Sequence, residues 1–287
     1  ARRAAEGRPR APARSLRERR RVAGFLLINP RSGDSSPSAD ELVAAAEAHG
    51  ITTHVLGPDD DAAELARGSD ADVLGMAGGD GSLAQVAQVA IERERQFVCV
   101  PFGTRNHFAR DIGLDRDDPI AALEAFGGRE RRIDAGRIAG DLFLNNVSLG
   151  HYATLVHRRE HHRRRRDAFA RLRALLLTLT NREPLGLTID GDPVEASVAL
   201  VSNNDYKLDL LSIGERERLD EGKLHLYLAT GWRFSEWEER ACTSLTIDAA
   251  QHRIEAAVDG EPTEFETPLE FAIEALALRV LLPAAPG

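Results

Sequence analysis

The sequence predicts an N-terminal α/β domain with a parallel sheet, followed by a C-terminal antiparallel β-sandwich domain. Between residues 22 and 130, apolar strand-like runs alternate with amphipathic helical patterns, which is typical of a parallel sheet covered on both faces. From about residue 131, short strand-like runs follow one another directly. Turn signals such as Asp190-Gly191 and Asp259-Gly260 separate many of them, as expected for an antiparallel β domain.

The first half is divided by the period of its apolar residues and by its helix caps. Val22–Ile28 is a continuously apolar run, typical of a buried strand, and Ser38 and Gly50 bracket the first helix as N-cap and terminator. Strands are predicted at 22–28, 51–56, 72–77 and 97–101, and helices at 38–48, 60–67, 81–93, 105–111 and 117–126. Because ligands bind at the carboxyl ends of parallel strands, the loops after the first, third and fourth strands are candidates for a site.

The second half contains shorter elements. Strands are predicted at 131–138, 142–149, 186–190, 194–201, 223–229, 243–248, 252–258 and 276–282. One helical insertion is predicted at 154–180, inside the sandwich domain of residues 131–275.

Composition limits the class of protein. A chain of 287 residues that is 43% hydrophobic can bury a large core. The two cysteines, Cys99 and Cys242, exclude a disulfide framework, so no disulfide partner is expected. No apolar run reaches the length needed to span a bilayer. We therefore expect a cytoplasmic protein, associated at most peripherally with the inner face of the membrane.

The net charge of −9 hides two strongly basic segments. Nine arginines lie in residues 1–24 and eight in residues 157–173, which leaves the rest of the chain acidic. An acidic body argues against a specific nucleic-acid partner. On a helix, the second segment and the apolar stretch 174–179 would suit an anionic membrane surface, while a solvated insertion is the alternative. Residues 1–21 are predicted to be a disordered basic tail, and a homodimer is compatible with the sequence.

The most informative motif is the loop Gly78-Gly79-Asp80-Gly81-Ser82, which follows a predicted strand and opens a predicted helix. Glycines let bare backbone N–H groups approach a ligand, and a helix N-terminus adds unpaired donors and a positive dipole end for a polyphosphate. A carboxylate at this place suggests a cation between it and the phosphates. A cap of the following helix is the alternative role of Asp80.

Three further segments accompany this loop: Asn29-Pro30-Arg31-Ser32-Gly33, Pro101 to Arg110, and Val258-Asp259-Gly260-Glu261. With these four motifs in this order, the chain resembles the diacylglycerol kinase catalytic family, which includes bacterial lipid kinases and sphingosine kinases. The resemblance extends from Val22 to the C-terminus. It implies that ATP binds to the α/β domain in the cleft and that the sandwich helps to form a lipid site. The last segment, 276–287, would return to the first domain.

The resemblance also implies Mg²⁺-dependent transfer of the ATP γ-phosphoryl group to a lipid hydroxyl. The catalytic residues would be Asp259 as general base, Glu261 beside it, and Asp80, which would also orient Mg²⁺–ATP. The predicted nucleotide-binding residues are Asn29, Arg31, Ser32, Gly33, Gly78, Gly79, Asp80, Gly81, Ser82, Gly103, Thr104 and Asn106. Taken alone, Asp259-Gly260 is also an ordinary hairpin turn, which is how we interpret Asp190-Gly191.

Two positions depart from the family pattern. His107 stands where the family usually has Asp directly after the Asn, and Glu221 stands where Asp is expected before Gly222. Asp220 and Glu221 resemble the acidic turn that carries a metal in some members, and a two-carboxylate turn without a metal is the alternative. An NAD kinase relative, which shares the glycine loop, and a binding protein that has lost catalysis remain alternative functions.

Overall fold

The computed structural model describes residues 23–32, 37–104, 106–149, 185–206, 216–229 and 237–284. The predicted tail 1–21, the insertion 154–180 and the arginine-rich segment 157–173 lie outside the described residues. The described helices are α1 Ala39–Ala48, α2 Ala62–Gly68, α3 Asp80–Glu92, α4 His107–Asp111 and a 3₁₀ helix Ala121–Gly127.

Sixteen strands are present in the described part of the chain. The first eight are β1 Gly24–Ile28, β2 Thr52–Val55, β3 Val73–Gly78, β4 Gln96–Pro101, β5 Arg129–Ile138, β6 Asp141–Phe143, β7 Asn146–Leu149 and β8 Leu187–Ile189. The others are β9 Asp192–Val194, β10 Val198–Asn203, β11 Leu224–Ala229, β12 Trp237–Cys242, β13 Ser244–Ala249, β14 Arg253–Val258, β15 Glu261–Glu266 and β16 Leu269–Leu282.

The strands form a mixed sheet and a separate antiparallel sheet. Ten strands belong to the mixed sheet, whose main path runs β2-β1-β3-β4-β16-β13-β8-β9, and β1 to β4 pair in parallel. The second sheet has the order β12-β11-β10-β7-β14-β15, and all of its pairs are antiparallel. The predicted fold class is therefore confirmed.

Two hydrophobic cores lie within these layers. In the first core, Leu83, Val86, Ala87 and Ala90 of α3 are buried at helical spacing, which explains why this segment is a helix packed on the sheet. The second core joins the antiparallel part of the mixed sheet to the second sheet. Its phenylalanines Phe143 and Phe271 meet edge to face, with ring centroids 6.4 Å apart.

The last strand takes part in both cores. Leu278 of β16 belongs to the first core and Phe271 to the second. Its C-terminal part pairs in parallel with β4 at Arg279 and Val280. A register shift interrupts its pairing with β5, and within it Leu276 has a positive φ of 54°. One continuous strand thus ties the sandwich to the parallel sheet.

Several strands differ from the sequence prediction, including the last one, which was predicted at 276–282 and begins at Leu269. The predicted strand 142–149 is two strands, β6 and β7, because Leu144 and Asn145 turn their N–H groups to a side chain outside the ladder. The strands β12 and β15 were not predicted. Both lie at the edges of the second sheet, where polar residues are tolerated and apolar alternation is weak.

Candidate active site

Three of the predicted motifs meet at the carboxyl ends of the parallel strands. The Nδ2 group of Asn29, after β1, donates a hydrogen bond of 3.1 Å to Oγ of Ser82 in the glycine loop. Gly103, after β4, lies so close to the same loop that a Cβ atom on it would come within 2.6 Å of the Cα of Gly79. The structure therefore assembles the three loops into one surface.

The glycine loop leaves the N-terminus of α3 accessible. Gly79 is the N-cap of this helix, and no side chain in the described part of the chain caps it. A Cβ atom added to Gly79 would meet nothing within 4 Å, whereas one on Gly78 would lie 3.0 Å from the Cβ of Ser82. Gly78 thus permits the tight turn. Because Gly79 has no side chain, the backbone N–H groups at the start of α3 are open to a ligand.

The carboxylate of Asp80 caps helix α4 from a distance. Its Oδ1 accepts a hydrogen bond of 3.0 Å from the N–H of Phe108, and its Oδ2 accepts one of 3.3 Å from the N–H of His107. The residue is buried, with 7% of its surface exposed. Because His107 makes this contact through its backbone, the departure from the family's Asp leaves it intact.

Asn106 holds the loop that precedes α4. It has a left-handed backbone, with φ of 47°, and its side chain forms a two-way bridge to Gly103 in which each hydrogen bond is 2.9 Å long. Its Nδ2 group also donates to the carbonyl oxygen of Arg116 at 3.1 Å. Both donors of the amide are therefore used in fixing the loop, which favours a positioning role over direct contact with a nucleotide.

The remaining predicted nucleotide-binding residues differ in their surroundings. Arg31 is exposed, and its backbone N–H donates to Oδ1 of Asn29 at 3.1 Å. Ser32 donates its N–H to the carbonyl oxygen of Asn29 at 3.2 Å, which closes a tight turn. Thr104 is exposed, and Gly33 lies outside the described residues.

Asp259 forms the hairpin turn between β14 and β15, and its carboxylate points away from the turn. Asp259 and Gly260 both have positive φ, 50° and 88°, as a two-residue hairpin requires. The carboxylate accepts three backbone N–H groups: from Leu144 at 2.8 Å, from Asn145 at 2.7 Å and from Asn146 at 3.1 Å. The hairpin and site interpretations of this Asp-Gly pair are thus compatible.

Burial raises the pKa of Asp259 to about 7, because the loss of hydration outweighs the three N–H donors that favour the carboxylate. The negative charge of Asp80 contributes to this rise. The two carboxylates are therefore close enough to influence each other. A carboxyl group that ionises near neutral pH has the property needed of a general base.

Glu261 brings the hairpin onto the glycine loop. A Cβ atom on Gly81 would lie 3.1 Å from Cδ and 3.2 Å from Oε1 of Glu261. The hairpin of the antiparallel sheet therefore packs directly on the first turn of α3. This contact joins the predicted catalytic residues to the predicted nucleotide loop.

The chain is similar in sequence to known proteins. Residues 23–138 match the family model of the diacylglycerol kinase catalytic domain. Over this segment the chain is similar to the diacylglycerol kinase catalytic family. The chain is 29% identical to a diacylglycerol kinase of Mycobacterium tuberculosis over 197 residues, which cover 63% of this chain and 62% of the relative. It is 42% identical to a YegS-like lipid kinase of Pseudomonas aeruginosa over 76 residues, which cover 25% of this chain and 24% of that protein.

The diacylglycerol kinase fold extends beyond the matched segment. A crystal structure of a diacylglycerol kinase from Bacillus anthracis superposes with a TM-score of 0.65 at 16% identity, covering 91% of this chain and 97% of that one. At this identity the superposition shows the fold alone. The matched region spans less than two thirds of the length of the curated relatives, 62% for the Mycobacterium tuberculosis kinase.

The carboxylates of the acidic turn Asp220-Glu221, predicted from the resemblance as a metal site, make separate contacts. Oδ1 of Asp220 accepts a hydrogen bond of 3.2 Å from Arg218, and Oε2 of Glu221 lies 3.2 Å from Nε2 of His225. The two carboxylates thus face different partners, and a metal at this turn stays a prediction.

A different cluster has the spacing of metal ligands. Within the described residues, the potential ligand atoms of Asp205, His225 and Glu239 all lie within 4.8 Å of one another.

Sequence reasoning missed the buried ion pair and hydrogen bonds of Arg216, which lie behind the candidate site. The side chains of Arg216 and Asp111 are 0% and 1% exposed, and they form an ion pair of 2.8 Å. Asn145, which interrupts an apolar run together with Asn146, is the one member with a sequence signal. Arg216 had none, because it stands in the charged run 215–218, which is typical of a solvated surface.

Proposed function

We propose that this protein is a lipid kinase that transfers the γ-phosphoryl group of Mg²⁺–ATP to a hydroxyl group of a diacylglycerol-like or sphingoid-like lipid. The observation that carries the proposal is the contact between Glu261 and Gly81. It brings the hairpin that carries Asp259, the proposed general base, onto the first turn of α3, and the N-terminus of this helix suits phosphate. Phosphoryl transfer needs these two elements in one place.

The glycine loop and the start of α3 fit a nucleoside triphosphate with a divalent cation. The open backbone at Gly79 and the uncapped start of α3 supply N–H donors for phosphate oxygens. Asp80 would hold Mg²⁺, because each of its oxygens accepts one N–H group and keeps a further lone pair. When bound, Mg²⁺–ATP supplies the phosphoryl group and neutralises its charge.

Asp259 would remove the proton of the lipid hydroxyl group. The three N–H donors of residues 144–146 fix the carboxylate, and its pKa of about 7 lets it accept a proton near neutral pH. The nearby charge of Asp80 favours this uptake, because a second negative charge raises the proton affinity of the first. Glu261 would keep the base in register with the nucleotide loop.

We further propose that the enzyme works at an anionic membrane surface, where such lipids reside. The arginines of residues 157–173 provide the positive charge for this contact. No helix in the described ranges is long and apolar enough to cross a bilayer. Replacing four of these arginines with glutamine should reduce sedimentation with phosphatidylglycerol vesicles, most clearly at low salt. Unchanged sedimentation would contradict this part of the proposal.

A labelled-ATP assay with diacylglycerol, sphingosine and a bacterial lipid extract tests the proposed reaction. We expect label in the organic phase, lost in the Asp80→Ala and Asp259→Asn variants. Asp190→Asn is the matched control, since Asp190 lies in the same kind of turn, with φ of 52°, and receives the N–H of Thr246 at 2.8 Å. Label transferred only to NAD would show an NAD kinase. Tight Mg²⁺–ATP binding without turnover would show a binding protein, and either result overturns the proposal.

A further inference from the structure

We propose that Arg216 is a positioning residue for the phosphoryl transfer, which fixes the turn of Leu144 and Asn145 that holds Asp259. The inference rests on the proposed function, because it assigns a role relative to the general base. Arg216 lies outside the segment that matches the family model, and it does not belong to any of the four sequence motifs.

The guanidinium group of Arg216 is fully buried and donates hydrogen bonds to the turn at two points. Its Nη1 donates to the carbonyl oxygen of Leu144 at 2.7 Å and to that of Asn203 at 3.1 Å. Its Nη2 donates to Oδ1 of Asn145 at 2.8 Å. Leu144 and Asn145 are also two of the three residues whose N–H groups hold the carboxylate of Asp259.

A single peptide group links Arg216 to Asp259. The carbonyl oxygen of Leu144 and the N–H of Asn145 belong to the same planar amide. The oxygen accepts from Arg216 at 2.7 Å, and the N–H donates to Asp259 at 2.7 Å. Hydrogen bonds at the two ends of one amide polarise each other. The cation therefore fixes the orientation of this amide and strengthens its N–H as a donor to the carboxylate.

The same guanidinium connects the base to the other carboxylate of the site. Its Nε donates to Oδ2 of Asp111, the last residue of α4, at 2.8 Å. The first turn of α4 donates its N–H groups to Asp80. A continuous series of direct contacts thus runs from Asp80 along α4 to Arg216 and on to Asp259. A short helix with a charged contact at each end can hold the two carboxylates in fixed relation.

The charges that face Asp259 define what the loss of Arg216 would do. They come from Asp80 at the start of α3 and from Arg216, which is paired with Asp111. Tyr206 lies beside them as a neutral phenol, because burial raises its pKa to about 12, and its ring centre is 5.4 Å from the guanidinium carbon. A variant that loses hydrogen bonds between position 216 and the turn would loosen the N–H groups that hold the carboxylate of Asp259. Weaker donors disfavour the carboxylate form, so the pKa of Asp259 should rise.

The variant Arg216→Lys tests the proposal, because lysine keeps the charge but lacks the planar fork that serves several acceptors at once. We expect kcat to fall on the order of tenfold or more, with a much smaller change in the KM for ATP. The acid limb of the pH profile should move to higher pH. Arg279→Lys is the matched control, since Arg279 pairs with Glu130 at 2.7 Å on the surface of the chain.

Two additional variants separate positioning from general stability. Asn145→Ala removes the hydrogen bond from Nη2 of Arg216 to Oδ1 of Asn145 without changing any charge. As in Arg216→Lys, kcat should fall and the pKa of Asp259 should rise. Ile247→Ala destabilises the second core, where Ile247 is fully buried, and it should leave the pH profile in place. An equal shift of the profile in Ile247→Ala would overturn the proposal, as would unchanged kcat and pH profile in both Arg216→Lys and Asn145→Ala.

A readout without turnover keeps this inference distinct from the proposed function. The ionisation of Asp259 can be followed by ¹³C NMR of the side-chain carboxyl groups, with Asp259→Asn to assign the signal. We expect a higher pKa in Arg216→Lys and in Asn145→Ala than in the wild type. If no lipid is phosphorylated but this shift is present, the lipid kinase proposal fails and the Arg216 contact holds. If transfer occurs and the pKa is unmoved in both variants, only the Arg216 proposal fails.

Discussion

The side chain of Glu261 occupies the space that a Cβ atom on Gly81 would need, with its Cδ 3.1 Å from that position. Gly81 belongs to the first turn of α3, and Glu261 is the first residue of β15. The backbone of Gly81 is helical and would accept any residue. A glycine is required here because the side chain of Glu261, from the other sheet, leaves no room for a Cβ atom. This contact sets how closely the Asp259 hairpin approaches the glycine loop.

The variant Gly81→Ala should lower kcat/KM on the order of tenfold while the protein stays folded. Alanine favours a helix by about 1 kcal/mol over glycine, which offsets part of the cost of displacing Glu261. Gly68→Ala in α2 is the matched control, because a Cβ atom there would meet nothing within 4 Å. Steady-state kinetics and thermal unfolding of the two variants check the prediction. Wild-type kinetics in Gly81→Ala would contradict it.

The variant Gly103→Ala should weaken ATP binding. The added methyl group would come within 2.6 Å of the Cα of Gly79, and since that neighbour is backbone, the two loops must separate. We expect the KM for ATP to rise on the order of tenfold, with a smaller change in kcat. Titration calorimetry with ATP measures this directly. Gly127→Ala, where a Cβ atom would meet nothing within 4 Å, should bind ATP as the wild type does.

The pH dependence of the reaction should follow the ionisation of Asp259. A general base acts as the carboxylate, and the pKa of this group is raised to about 7. The rate should therefore fall as the pH drops below about 7 and level off above it. Measurement of kcat/KM against pH, with the nucleotide saturating, tests this. A profile that stays flat down to about pH 5 would exclude Asp259 as the titrating base.

Much of the fold was predictable because its signals are local. The buried strand β3 and the helix α3 follow from continuous and helical apolar patterns, and the glycine loop between them marks the turn. The edge strand β15 escaped prediction because its polar sequence, which includes Pro262, carries no alternation. Its position depends on pairing with β14, which a local pattern does not encode.

The candidate site was also predictable only where its signals are local. The motifs identified Asp80 and Asp259 as chemically important, but not the partners that position them. Arg216 lies 105 positions from Asp111 and 72 from Leu144 along the chain, and its neighbours in sequence are charged. Its burial is therefore a product of tertiary structure alone. Short-range patterns report such a residue as solvated surface.

Ionisation of Asp259 should make the protein less stable as the pH rises. The pKa of this carboxyl is about 7 in the folded protein and near its ordinary value of 3.8 when the chain unfolds. Between these values the folded state holds a proton that the unfolded chain has released. Its contribution to stability therefore falls as the pH rises from about 4 to about 7, and the loss is complete above that. An asparagine at this position does not ionise and escapes the loss.

The free energy of unfolding of Asp259→Asn, relative to the wild type, should thus rise by roughly 1–3 kcal/mol between about pH 5 and about pH 8. The full electrostatic value is reduced because the residue is partly exposed. The amide would also face the N–H of Leu144, but that repulsion is independent of pH and cancels in the comparison. Urea unfolding at the two pH values measures the difference, and Asp190→Asn gives the background for the same substitution in the same kind of turn. A difference that does not change with pH would show that Asp259 carries its charge in the fold without cost.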